Sequence, residues 1–445
     1  MINWKTKPTD TIIGTITVAG DKSISHRSIM LGAIAEGRTT VTGFLQGEDC
    51  LATRKAFEMM GVPIRDEDDK IIIDGVGLHG LQAPKTPIDV GNSGTAMRLM
   101  AGILAGQSFE STLIGDESLM TRPMGRVAEP LSQMGATIAT DTDGTAPIRI
   151  SPTDSLHGIT YQQTVASAQV KSALLLAGLY ADGETVVIEN GISRDHTERM
   201  LQNFGYSVER QQNGQQATTQ VTTRLIGGGK LTATDIVVPA DISSAAFFMV
   251  AAAICPRSEL CIKQVGINPT RTGIIDILRL MGADLRYQNE NQSGEPVADI
   301  IIKNSQLKGI TVPEYLVPLA IDEFPVIFIA AACADGEFIL RNAKELRVKE
   351  SDRISAMVIG LKALGVDCEE LPDGVIIRGN PENPFPNSAT VDSLTDHRIA
   401  MAFAVAGIRT DKGITIKDCD NVATSFPNFN ELAQKVGINI EENKE

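Results

Sequence analysis

The sequence predicts an α/β protein of two domains, each assembled from three copies of a βαβαββ unit, with buried helices within each domain. Three observations carry this. A glycine between apolar residues closes an amphipathic helix six times, at Gly61, Gly135, Gly205, Gly282, Gly365 and Gly437, at intervals of 70 to 83 residues. A more apolar helix precedes each amphipathic one, and a short β-rich run lies between the two. At 445 residues the chain exceeds one ordinary core, so six units divide into two sets of three.

The apolar helices are expected at Ser25–Ala35, Thr95–Ala105, Ala168–Tyr180, Ser243–Ile254, Phe324–Ala334 and Arg398–Gly407. Their bodies are apolar on every face, which suits helices surrounded by protein. The β runs that follow are Thr39–Val41, Ser111–Ile114, Thr185–Ile188, Glu259–Ile262, Glu337–Leu340 and Gly413–Ile416. The amphipathic helices, such as Thr197 to Phe204 and Thr272 to Met281, end on glycines suited to a left-handed cap. Hairpins then follow, as at Ile64 to Ile73 and Val366 to Ile377, and Gly227-Gly228-Gly229 reads as a hairpin turn.

The boundary is expected where Ile236 to Asp241 opens the fourth unit, giving an N-terminal domain at 21–239 and a C-terminal domain of 1–20 plus 240–445. The last unit runs out at Ile438 to Glu445 without room for its final strand, so Thr11 to Val18 is expected to pair into the C-terminal domain. The chain then crosses between domains twice, an arrangement suited to a hinge with the active site in the cleft.

Composition excludes several partners. A formal net charge of −15 opposes nucleic acid and anionic membranes, so an anionic ligand needs a local cationic cluster. The longest apolar run, Ala245 to Cys255, is about half the roughly 20 residues of a membrane span. The polar N-terminus lacks a signal-peptide core, and six cysteines without C-x-x-C spacing read as reduced structural thiols. A cytoplasmic location is expected.

The chemistry concentrates where apolar helices begin. Asp89 to Arg98 reads as a strand end, a small-residue turn and the first turn of a helix, a natural anion site. The other starts carry Lys22, Ser23, His26 and Arg27; Ser167 and Gln169; Asp241, Ser243 and Ser244; Asp322 and Glu323; Asp396, His397 and Arg398. Ordinary N-capping accounts for the small polar residues. It does not account for Lys22 or Arg398, which oppose the helix dipole and require an anion or carboxylate nearby. Arg122, Arg194 and the charged run Arg347 to Arg353 stand at the starts of amphipathic helices, where the alternative is a solvated charged face. Guanidinium groups there suit a ligand bearing carboxylate and phosphate. Lys22 and Lys349 could hold or donate protons, and Asp322 and Glu350 are the carboxylates placed for acid–base work. There is no phosphate-binding G-x-x-x-x-G-K-[ST] loop, and the five histidines have no metal-ligand spacing.

These residues carry a resemblance. Gly91-Asn92-Ser93-Gly94-Thr95-Ala96-Met97-Arg98 and Arg347-Val348-Lys349-Glu350-Ser351-Asp352-Arg353-Ile354, with Lys22-Ser23-Ile24-Ser25-His26-Arg27 and Asp396-His397-Arg398, resemble the 5-enolpyruvylshikimate-3-phosphate (EPSP) synthase family, also called 3-phosphoshikimate 1-carboxyvinyltransferase, along essentially the whole chain. The resemblance implies the inside-out α/β barrel of enolpyruvyl transferases. It implies transfer of the enolpyruvyl group of phosphoenolpyruvate to the 5-hydroxyl of shikimate 3-phosphate, on the route to chorismate and aromatic amino acids, by a monomer without cofactor or metal.

It further implies that Lys22, Gly94, Arg122, Gln169, Arg353 and Arg398 hold phosphoenolpyruvate. Lys22, Ser23, Arg27, Ser167, Ala168, Gln169, Arg194, Asp322 and Lys349 would hold shikimate 3-phosphate. Asp322 would take the hydroxyl proton, and Lys22 with Glu350 would manage protonation of the enolpyruvyl carbons. The chain departs from many members at Ala168, Glu345 and Thr424, where serine, asparagine and lysine are common, and at Leu99, where many have proline; it resembles the subset with Ser-Ala-Gln at 167–169. Gly94 leaves the space that glyphosate occupies in sensitive members.

Two alternatives make other demands. UDP-N-acetylglucosamine enolpyruvyl transferases typically carry a cysteine in the loop matching Gly115–Pro123 and an asparagine after the first lysine; here there is no such cysteine, and Ser23 follows Lys22. A non-catalytic scaffold binding phosphosugars would keep the cations but be indifferent to loss of Asp322 or Glu350. RNA processing on such repeats conflicts with the acidic balance.

Overall fold

The computed structural model describes residues 2–153, 155–214, 219–292 and 294–444. The chain divides into two compact units, Gly20–Val238 and Met1–Ala19 together with Pro239–Glu445.

The chain starts with two strands, β1 (Ile2–Thr6) and β2 (Ile13–Ile16). The Gly20–Val238 unit then holds α1 (Lys22–Ile34), α2 (Glu48–Met59), α3 (Gly94–Ala105), the short α4 (Glu117–Met120), α5 (Gly125–Gln133), α6 (Ala168–Gly178) and α7 (His196–Asn203). The other unit holds α8 (Ile242–Ile254), α9 (Gly273–Leu280), α10 (Phe324–Ala332), α11 (Arg353–Ala363), α12 (His397–Gly407) and α13 (Phe429–Val436).

The apolar helices α1, α3, α6, α8, α10 and α12 are the interior of their units. Every residue of α8 and α10 is buried. The central helices approach closely: a Cβ on Gly102 of α3 would stand 2.1 Å from the Ala173 carbonyl oxygen of α6. Helices α2, α5, α7, α9, α11 and α13 each end at one of the six repeat glycines, whose φ values lie between +78° and +104°. A side chain there would strain the backbone, so glycine closes every one.

Among the described residues each unit carries three small sheets; five are mixed and four-stranded with one repeated order, and that of the fifth repeat has only the three antiparallel strands Gly336–Leu340, Gly374–Gly379 and Asp367–Leu371. In the second repeat Ile88–Asp89 runs parallel to Ser111–Ile114, which pairs antiparallel with Ile148–Ser151, itself antiparallel to Thr137–Ala139. Three places complete this order with chain from elsewhere, and here the sequence reading needs correction. The last strand of the sixth repeat is β1, lying between Thr415–Lys417 and Ile440–Lys444, so the N-terminus does fill that gap, but with Ile2–Thr6 rather than Thr11–Val18. Strand β2 instead runs parallel to Glu259–Gly266, as the first strand of the fourth repeat. Ile236–Val237, expected to open the fourth repeat, runs parallel to Glu36–Thr42 in the first. The glycines at 227–229 are not a hairpin turn either. They leave the strand Gln220–Ile226, with Gly227 N bonded to Gly183 O and Gly228 N to Leu179 O.

Among the described residues no helix is long and apolar enough to cross a membrane. The six cysteines are free, and five are buried. Burial pushes the Cys333 and Cys419 thiols up to about 12, which keeps them un-ionised.

Candidate active site

In the Gly20–Val238 unit the helix starts form two linked groups. Lys22 opens α1 behind the Asp21 cap, whose side chain accepts from Ile24 N. The carboxylate that a lysine at this end of a helix requires is Asp49 of α2: Lys22 Nζ stands 2.5 Å from Asp49 Oδ2. Asp49 is nine-tenths buried, so the pair is directional. Behind it, Arg27 donates from Nε to Thr197 Oγ1 (2.7 Å), from Nη1 to Ser23 O (2.9 Å) and from Nη2 to Ser172 Oγ (3.0 Å). One guanidinium thereby ties α1 to α6 and α7. Arg194 lies two residues before α7, half-buried, beside Ser193.

The second group surrounds Gly94. Ser93 caps α3 by accepting from Ala96 N at 3.1 Å, leaving the first turn open. A Cβ on Gly94 would come within 2.9 Å of Arg98 Nη1 and 3.5 Å of Arg122 Nη1, so two guanidiniums flank that helix start. Arg98 donates to Gln169 Oε1 at 2.7 Å, and Gln169 Nε2 donates to Thr95 Oγ1 at 3.0 Å. Arg122 donates to Asn92 Oδ1 at 2.8 Å. Ser167 caps α6, placing Ala168 and Gln169 in its first turn. Two guanidiniums beside the Ser93-capped start of α3 favour an anion there.

His26 joins the two groups. Thr53 donates to the Asp49 carbonyl, so its oxygen can accept from His26 Nδ1 at 2.7 Å. Ser93 Oγ, with its lone pair given to Ala96 N, can donate to His26 Nε2 at 3.3 Å. Burial, with Lys22 and Arg27 nearby, holds this imidazole well below its ordinary value, so it is neutral.

In the other unit the expected residues gather around Arg353, which begins α11 and is 1% exposed. It donates from Nε to Asp396 Oδ2 (2.8 Å), from Nη2 to Glu350 Oε2 (2.5 Å) and from Nη1 to Asp322 Oδ1 (3.3 Å). Lys349 Nζ stands 3.4 Å from the same Asp322 oxygen. Arg398 donates to the Asp322 carbonyl at 2.9 Å and lies 3.6 Å from Glu323 Oε1. Asp322, Lys349, Glu350, Arg353 and Arg398 are therefore one cluster. The run from Arg347 to Arg353 is not a solvated face: its last arginine is core, and Arg347 is tied to Asp352 and Glu370. Burial would raise the Asp396 carboxyl, but Arg353 outweighs it and holds the group below the usual carboxylate range. The Arg353 guanidinium is correspondingly held charged by Asp396, Glu350 and Asp322 against the cost of burial.

The two sets differ in charge. Basic groups outnumber acids around Gly94 and Arg27, whereas Asp322, Glu323, Glu350 and Asp396 answer the cations around Arg353. The first set is a locally cationic group of the kind that favours an anion, and the second is an array of acids and cations matched to one another.

Sequence reasoning missed Asp49 and Arg271 as partners of helix-start residues, and it read Arg98 only as part of the Gly91–Arg98 motif. Asp49 sits in an ordinary acidic first turn and becomes visible only by its contact with Lys22. Arg271 had a signal. It stands two residues before α9, as Arg194 does before α7, while Arg122 stands three before α5 and Arg353 opens α11.

Comparison with known proteins decides the family. Residues 6–432 match the family described as EPSP synthase (3-phosphoshikimate 1-carboxyvinyltransferase). The chain belongs to the EPSP synthase family.

A 3-phosphoshikimate 1-carboxyvinyltransferase from Hydrogenovibrio crunogenus is 59% identical over 441 residues, covering 99% of this chain and 98% of that protein. One from Methylococcus capsulatus is 59% identical over 430 residues, 96% of each. Among solved structures, an EPSP synthase from Acinetobacter baumannii superposes with a TM-score of 0.88 at 53% identity over the full length of both chains. The enolpyruvyl transferase NikO from Streptomyces tendae, at 15% identity and TM-score 0.79 over 99% of each chain, shares the fold. The EPSP synthase family and its two-domain inside-out α/β fold are those that the repeats and the helix-start motifs implied.

Proposed function

We propose that this protein transfers the carboxyvinyl group of phosphoenolpyruvate to the 5-hydroxyl of shikimate 3-phosphate and releases inorganic phosphate. The observation that carries the reading is full-length identity of 55–59% to proteins named 3-phosphoshikimate 1-carboxyvinyltransferase. The geometry of the two residue sets supports it.

Phosphoenolpyruvate is assigned to Lys22, Gly94, Arg122, Gln169, Arg353 and Arg398. Shikimate 3-phosphate is assigned to Lys22, Ser23, Arg27, Ser167, Ala168, Gln169, Arg194, Asp322 and Lys349. The 5-hydroxyl oxygen bonds to the carbon of phosphoenolpyruvate that bears phosphate, while Asp322 takes the hydroxyl proton. The methylene carbon gains a proton from Lys22 or Glu350, giving a tetrahedral adduct. Phosphate then leaves with its bonding electrons, and the methyl group returns a proton to regenerate the double bond. Asp322, between Lys349 and Arg353, is suited to hold the negative form before the proton arrives. Lys22, held by Asp49 at the start of α1, is suited to pair with the phosphate. The Ser-Ala-Gln sequence at 167–169 leaves one hydroxyl fewer for the substrate than a Ser-Ser-Gln sequence would. The same reading makes this a cytoplasmic monomer that requires no cofactor and binds no nucleic acid.

The test is inorganic phosphate release by the purified protein given both substrates. Parallel samples replace shikimate 3-phosphate with UDP-N-acetylglucosamine or omit it. Release that depends on shikimate 3-phosphate is expected. Release only with the nucleotide sugar, or none from folded protein, would overturn the reading.

A further inference from the structure

Behind Arg398 lies a buried chain of contacts that the proposed reaction does not use. Arg271, just before α9, donates from Nη2 to Ser243 Oγ at 2.7 Å and to Asp241 Oδ1 at 3.2 Å. Ser243 Oγ donates in turn to Glu323 Oε1. The same Glu323 oxygen lies 3.6 Å from Arg398 Nη1, whose hydrogen bond goes to the Asp322 carbonyl. Arg271, Ser243 and Glu323 are all at most 3% exposed. Four elements converge here: the starts of α8, α10 and α12, and the turn into α9.

Two features set this chain apart from a stability device. The second oxygen of Glu323 is buried and has no hydrogen-bond partner among the described residues. A carboxylate kept for stability alone would use both oxygens, because a buried unsatisfied acceptor is costly. Arg271 also breaks the pattern of its repeat. Arg194, which likewise stands two residues before its helix, is assigned to a ligand, whereas Arg271 is turned onto Asp241 and Ser243. It supplies the cation without which Glu323 and Asp241 would be two adjacent buried carboxylates.

We propose that Glu323 is a positioning residue for phosphoenolpyruvate: its carboxylate fixes the Arg398 guanidinium against the Asp322 carbonyl, and Arg271 supplies its counter-charge through Ser243. This rests on the assignment of Arg398 to phosphoenolpyruvate. Glu323 touches neither substrate; it sets the direction from which Arg398 meets one of them. The carbonyl of Asp322 binds that same guanidinium, so the candidate base and the phosphoenolpyruvate ligand are held in register by one contact.

The test is steady-state kinetics of full-length Glu323→Gln, which keeps an acceptor for Ser243 and removes the charge. The KM for phosphoenolpyruvate is expected to rise tenfold or more, with the KM for shikimate 3-phosphate within twofold of the parent. Arg271→Met should show the same split, and Arg271→Lys should recover most of it. A lowered melting temperature with both KM values unchanged would make the chain structural and overturn the proposal. Should Glu323→Gln not fold, Ser243→Ala leaves every charge in place and removes the linking hydroxyl. A raised KM for phosphoenolpyruvate then supports the proposal, and unchanged KM values overturn it. A parent enzyme inert with both substrates would instead sink the proposed function, and this inference with it.

Discussion

Arg353 and Asp396 are joined at 2.8 Å with both side chains essentially sealed from water, one at the start of α11 and the other capping α12. The cap is made by the same carboxylate, which accepts from Arg398 N at 2.9 Å. Replacing Asp396 with asparagine preserves a capping side chain and leaves a buried guanidinium short of one charge. Urea unfolding of Asp396→Asn is therefore expected to show a loss of about 3–5 kcal/mol.

Acid should act through the same pair. The folded Asp396 carboxyl is held below its unfolded value of about 3.9, so the unfolded chain binds the proton more readily. Its contribution is complete above that value and is lost as pH falls through the lower folded one. Thermal denaturation between about pH 5 and 2 should show a steeper acid decline in the parent than in Asp396→Asn.

His26 predicts a second window at higher pH. Its folded value lies well below the unfolded value of about 6.5, through burial and the nearby Lys22 and Arg27. Stability from this group is complete above pH 6.5 or so and falls as pH drops below that. In His26→Gln the slope of stability against pH just below 6.5 should flatten.

Removing the proposed proton-transfer groups should separate rate from binding. Asp322→Asn and Glu350→Gln are each expected to lower kcat by about 10²–10⁴ while circular dichroism stays that of the parent. Undiminished kcat in both would remove these two carboxylates from the chemistry.

Gly94→Ala would place a methyl group 2.9 Å from Arg98 Nη1 and 3.5 Å from Arg122 Nη1. The Arg98 guanidinium must shift, so the KM for phosphoenolpyruvate should rise about tenfold, equivalent to roughly 1.4 kcal/mol, with the melting temperature little changed.

The repeat was legible because its two marks are local. A helix apolar on all sides and a glycine cap both follow from a few adjacent residues, as at Met281-Gly282-Ala283. Lys22 and Arg398 were legible for another reason: a cation at a helix start demands a partner, whoever supplies it. The partner's identity was not readable. Asp49 looks like any first-turn acid, and Arg271 lies among polar residues that suit a loop. Lys171 was hidden more thoroughly. It sits within apolar α6, fully buried, held by Glu189 at 2.7 Å and Glu198 at 2.8 Å. Ile236–Val237 was placed in the wrong repeat because a two-residue strand carries no register of its own, and tertiary context chooses its neighbour.

The borrowed strands set a timetable for synthesis. The Gly20–Val238 unit is one continuous stretch and can close as soon as it leaves the ribosome. Strand β2 must wait for Glu259–Gly266, and β1 for the last strands of all. At roughly 5–20 residues per second, that delay is on the order of tens of seconds, during which the first nineteen residues have no sheet to join. A circular permutant opened between Ala19 and Gly20, with its old ends linked, would make each unit continuous and remove the wait.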